Sequence, residues 1–213
     1  MCFSATASFV AAGALIPAGA YALKKALPKD RLIAAAPLLF GIQQGIEGVQ
    51  WLLVNAGYPS LPLGYAFMFF AFLFWPWYIP LAMRVAETSK QKQRLMQLLL
   101  AIGFMTSLGL LVVLLSTPMQ IAIFDRCLQY DVPISLPFLI PLATGYLLSA
   151  CLAPILSSYK WVRPMGIVGL LAVVFSFVLF WTVFTSVWCF FAAALSVFCF
   201  LHVLDERGLL TDR

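Results

Sequence analysis

One carboxylate, three amides and an indole crowd a single stretch of an otherwise apolar chain. Gln43, Glu47 and Gln50 recur at i, i+4 and i+7, and Gln44 and Trp51 lie at the edge of the same helical face. Their segment centres near Gln43, which puts Glu47 about 6 Å from its middle at 1.5 Å of rise per residue. Glu47 is the one charge set deep in an apolar segment. A carboxylate facing lipid is costly, so this face must turn inward or toward water. Three uses follow for it. It can hold a polar or cationic ligand, relay a proton, or serve as a polar tie between helices. No Lys or Arg inside the membrane is available to neutralise Glu47, since Arg163 stands at the very start of its segment.

Other reactive side chains are sparse. His202 is the sole histidine, one turn after Cys199 and one turn before Asp205 and Glu206. It reads as an interfacial histidine with its hydrogen bonds met, roughly 20 Å of helix rise away from Glu47 in depth. One histidine cannot supply a bis-histidine haem or a three-histidine zinc site, and neither HExxH nor GxSxG occurs. No lysine sits in mid-segment to form a buried Schiff base. No cofactor or metal is therefore expected. Cys151, Cys189 and Cys199 read as small apolar packing residues. Cys2 and Cys127 fall on the same expected side, where a disulfide is chemically permitted but free thiols are the expected state.

The segments that must position these groups are set by hydropathy and charge. Of 213 residues, 63% are hydrophobic and 10% charged. A water-soluble surface needs roughly 25–35% charged residues, so lipid must cover much of this one. Seven apolar segments appear, at about residues 3–23, 32–54, 61–83, 95–116, 132–156, 162–181 and 183–204. The expected fold is all-α: a polytopic membrane bundle of seven transmembrane helices in one domain. From Pro164 to Leu204 there are 41 residues without a charge. One helix of that length would measure about 61 Å, twice a hydrocarbon core. Two helices joined by a tight turn near Thr182–Ser186 are expected instead. Residues 117–131 read as the longest loop on their side.

Lys and Arg fall at alternate gaps. Lys24, Lys25, Lys29 and Arg31 fill the first gap. Arg84, Lys90, Lys92 and Arg94 fill the third, Lys160 and Arg163 the fifth, and Arg207 and Arg213 the tail; Arg126 alone lies on the other side. The positive-inside rule then places the N-terminus outside and the C-terminus in the cytoplasm. The net charge of +5 sits at membrane borders, where it meets lipid head groups rather than nucleic acid. Trp51, Trp75, Trp77, Tyr78, Tyr159 and Trp161 lie toward segment ends and read mainly as an interfacial aromatic belt. Pro76, Pro80, Pro137, Pro141 and Pro154 are expected to kink two of the helices.

Met1-Cys2-Phe3-Ser4-Ala5-Thr6-Ala7-Ser8-Phe9 resembles the opening of a family of small uncharacterised bacterial membrane proteins. Phe40-Gly41-Ile42-Gln43-Gln44-Gly45-Ile46-Glu47-Gly48 resembles the second segment of that family. The resemblance implies several spans and no established reaction. It directs attention to Cys2, Ser4, Ser8, Gln43, Gln44 and Glu47, which depth alone would bring together in the outer half. The functional expectation is a membrane protein of a bacterial inner membrane with a buried polar site at Glu47. It would bind or carry a small molecule, lipid or ion. Two alternatives stand beside it: a lipid-acting enzyme with Glu47 as its acid or base, and a scaffold whose polar face packs on another subunit. The expected partners are membrane lipids, a small molecule or cation, and a second copy of the chain.

Overall fold

The computed structural model describes residues 4–124 and 126–209. Seven helices in it are long and apolar enough to cross a membrane: α1 (Ala5–Lys25), α2 (Pro28–Asn55), α3 (Leu61–Ala86), α4 (Lys90–Ser116), α5 (Leu136–Leu156), α6 (Val162–Leu179) and α7 (Trp181–Glu206). The fold is an all-α membrane-type bundle. Residues 117–131, expected to be loop, instead contain an antiparallel hairpin of β1 (Gln120–Phe124) and β2 (Cys127–Asp131). Its register pairs Ile121 with Tyr130 and Phe124 with Cys127, and Arg126 takes the left-handed backbone at φ 60 that so short a connection needs. The pairing was hidden because strict apolar–polar alternation is absent from β1.

Small residues bring the helices together. α1 and α2 run antiparallel with their backbones nearly touching. A Cβ placed on Gly19 would lie 2.3 Å from the Leu38 backbone nitrogen, and one on Gly48 would lie 2.9 Å from the Phe9 ring. Gly103 of α4 approaches α3 closer still: a Cβ there would fall 1.9 Å from the Pro76 carbonyl oxygen.

Proline reshapes two helices. Phe69–Phe74 in α3 and Leu148–Leu152 in α5 widen into π-helix just before Pro76 and Pro154. A proline lacks an N–H and clashes with the carbonyl one turn back. The wider turn relieves that conflict, and the Trp75 N–H donates to the Phe70 carbonyl five residues earlier. The break before α7 comes at Phe180, followed by a tight turn over Trp181–Val183. α7 is offset again at Ser196, whose hydroxyl donates back to the Ala193 carbonyl at 2.6 Å.

The two largest apolar clusters among the described residues lie toward opposite ends of the bundle. At the hairpin end, Trp51, Phe67, Met68, Leu114, Leu128, Tyr130, Trp188 and Cys189 pack together. At the opposite end, where most Lys and Arg lie, Ile33, Met83, Met96, Leu99, Val162 and Cys199 do so. Trp75 and Tyr78 belong to the interior at 2% and 6% exposure, rather than to the interfacial belt expected of them, and Trp51, at 4%, is buried as its place on the inward polar face of α2 implies. Stacking and hydrogen bonding explain the difference for Trp75, whose ring lies on Phe40 at 3.8 Å.

Candidate functional site

α2 carries its polar residues on the side opposite the glycine groove that receives α1. Gln43, Gln44 and Gln50 are fully buried and Glu47 is 1% exposed. Each amide has a distinct task. Gln43 accepts from the Trp75 indole at 2.8 Å and donates to the Cys189 sulfur at 3.2 Å, linking α2 to α3 and α7. Gln44 donates to Glu47 Oε2 at 3.2 Å, while its own Oε1 meets no donor among the described residues. Glu47 Oε1 accepts a short hydrogen bond from the Ser186 hydroxyl of α7. Gln50 stands apart from this network. With its amide turned so that donor meets acceptor, it clamps the Ser60 backbone, its nitrogen 3.1 Å from the carbonyl and its oxygen 3.2 Å from the N–H.

The hairpin packs over the core beside the cluster. Leu128 and Tyr130 of β2 project into the core, and Tyr130 stacks on Phe67 with centroids 4.6 Å apart. Burial pushes the Tyr130 hydroxyl well above its ordinary range, and the Glu47 charge adds to that. The Tyr130 hydroxyl and the Trp51 indole N–H have no hydrogen-bond partner among the described residues. Gln44, which bonds Glu47, thus keeps an unmatched amide oxygen, and the Tyr130 phenol and the Trp51 indole N–H, one turn after Glu47 in sequence, are unmatched among the described residues. No ion pair among the described residues includes Glu47.

Of the N-terminal residues singled out by sequence, Ser4 caps α1 by accepting from the Ala7 N–H at 3.2 Å and is exposed. Ser8 is buried. Cys2 lies outside the described residues, and so does the question of its pairing; Cys127 is buried in β2.

A second polar group, of which the sequence singled out His202 but not its partner Asp30, ties the cationic end. His202 of α7 lies 3.2 Å from Asp30 Oδ1, both nearly or fully buried, and packs edge-on against the Tyr159 ring at 4.6 Å. Lys29 reaches Tyr159 at 3.3 Å and Glu206 at 2.8 Å. Arg207 donates to the Lys25 carbonyl and, at 3.3 Å, to that of Ala26. Asp30 went unnoticed because it sits between Lys29 and Arg31 and reads as part of a solvated charge run. It precedes Glu47 by 17 residues, about 25 Å of rise, so the two polar groups occupy different depths. Among the described residues no three His, Cys, Asp or Glu side chains gather to hold a metal ion.

A family model matches residues 1–210, nearly the whole chain. The chain belongs to the family of unknown function DUF6629. Membership of DUF6629 agrees with the resemblance in assigning no reaction. No curated protein and no solved structure matches the chain. The chemistry of this DUF6629 member therefore has to be argued from its own residues.

Proposed function

We propose that this protein is a membrane-embedded binding or carrier protein of a bacterial inner membrane. Its site is Glu47, and it takes a small cation, the proton included. One observation carries the reading: a fully enclosed carboxylate with no cationic partner among the described residues. A lone carboxylate in so dry a place must be neutralised, by a proton or by a bound cation. The unmatched Gln44 oxygen and Tyr130 hydroxyl supply further acceptors at its side, and Tyr130 makes the hairpin the cover through which a ligand would pass.

The test uses full-length protein in lipid nanodiscs. Infrared difference spectra across a pH titration, with sodium, potassium or methylammonium added in turn, follow the carboxyl C=O band. A buried carboxyl band that titrates or is displaced by one of the cations is expected, and Glu47→Gln should abolish that band while keeping the fold. Glu47→Leu should destabilise by about 1–3 kcal/mol, because it strands Gln44 and Ser186. Unchanged spectra and unchanged cation response in Glu47→Gln would leave Glu47 as a tie between helices.

A further inference from the structure

Where α3 passes into α4, the surface folds into a cleft of about 350 Å³ lined by Arg84, Lys90, Gln93, Arg94 and Gln97. Arg84 sits in the last turn of α3. Lys90, Gln93, Arg94 and Gln97 follow at i, i+3, i+4 and i+7, so α4 turns one face into the cleft. All three cations are exposed, and none makes a hydrogen bond or ion pair among the described residues.

The nearest carboxylate does not answer them. Glu87 lies between Arg84 and Lys90 in sequence, yet it is 3% exposed and turned inward. Its Oε1 accepts from the Thr88 and Ser89 N–H groups at 3.1 and 3.3 Å, and its Oε2 from the Ser158 N–H at 3.0 Å. The positive charge of the cleft is left uncompensated. The first turn of α4 adds its own partial positive charge and has no side-chain cap. The cleft also has a fixed depth: it lies where two membrane-length helices end. One turn deeper along α4, Leu98, four residues after Arg94, presents an exposed apolar side chain.

We propose that this cleft binds the phosphate head group of an anionic phospholipid in the leaflet at the cationic end. Arg84, Lys90 and Arg94 would surround the phosphate, and Gln97 would meet head-group hydroxyls, while the Gln93 amide nitrogen donates to the Glu87 carbonyl at 2.6 Å. The acyl chains would run past Leu98. Two guanidinium groups give forked donors to phosphate oxygens, and a lysine adds a mobile charge. Basic pockets between membrane helices suit such head groups.

The full chain is placed in nanodiscs of phosphatidylcholine with phosphatidylglycerol, and lipids retained on ejection are read by native mass spectrometry. The wild type should retain phosphatidylglycerol, and R84Q/K90Q/R94Q should retain it about tenfold less. K24Q/K25Q, which removes two exposed cations elsewhere at the same end, should match the wild type. Equal retention by the triple variant, or equal loss in K24Q/K25Q, overturns the site. A second measurement needs no variant. Lysine acylation of the wild type should show Lys90 protected in phosphatidylglycerol relative to phosphatidylcholine, with Lys24 unprotected. Equal labelling of Lys90 in the two lipids overturns the proposal. Protection by millimolar inorganic phosphate in pure phosphatidylcholine, as strong as that by phosphatidylglycerol, assigns the cleft to a soluble anion and overturns the lipid assignment.

Discussion

Glu87 shows how a single side chain can matter more to the architecture than to any chemistry. Burial works to raise its carboxyl, but the N–H groups of Ser158, Ser89 and Thr88 outweigh that and hold it below the usual carboxylate range. A depressed value means that Glu87 stabilises the fold above the ordinary carboxylate range and stops doing so as pH falls through its lowered value. Glu87→Gln should therefore lower stability by about 1–3 kcal/mol at neutral pH. The gap to wild type should close as pH falls below the ordinary carboxylate range, in thermal unfolding of detergent-solubilised protein. A constant gap across that range would contradict the assignment. The residues around Glu47 show where sequence reading stops. Gln43, Gln44, Glu47 and Gln50 announce a buried polar face by spacing alone, since one carboxylate in an apolar segment has nowhere else to go. Ser186, Cys189 and Tyr130 carried no such signal. Ser186 and Cys189 sit 139 and 146 residues from the groups they meet, in a segment that reads as uniformly apolar. Gln50 shares the face yet bonds the Ser60 backbone, because it lies nearer the helix end, where the chain turns into α3.

At the scale of elements, close backbone approach and proline decide the shape. Gly103 lets α4 lie directly on the Pro76 carbonyl, in the stretch of α3 that follows its π-helical turn. Gly103→Ala must push α3 and α4 apart. It should cost about 1–3 kcal/mol, read as a lower unfolding temperature, whereas the same change at Gly13, where a Cβ meets nothing within 4 Å, should be close to neutral. Equal effects at the two positions would remove the packing argument. The helices were legible because their length and apolarity are dictated by the bilayer. The hairpin was not, because its stability comes from seating Leu128 and Tyr130 in the core rather than from a local pattern.

For the whole molecule, charge partition makes a claim about orientation. Reporter fusions near Lys29, Lys90 and Lys160 and in the tail after Arg207 should read as cytoplasmic, and those near Tyr58 and Asp125 as outside. Asp125 in the cytoplasm with Lys90 outside would reverse the orientation.

The tie between α2 and α7 also has a history in time. α2 is made early, and its bonds from Gln43 to Cys189, from Glu47 to Ser186 and from Asp30 to His202 all wait for α7. Until then Glu47 has only Gln44, on its own helix, to satisfy it. A nascent chain thus carries an unfinished polar surface through most of its synthesis, and the last helix closes it. A chain ended after Leu179 keeps six membrane-length helices but leaves Gln43, Glu47 and Asp30 without their α7 partners. It should be cleared by the cell's proteases while the full chain accumulates, as pulse-chase labelling would register.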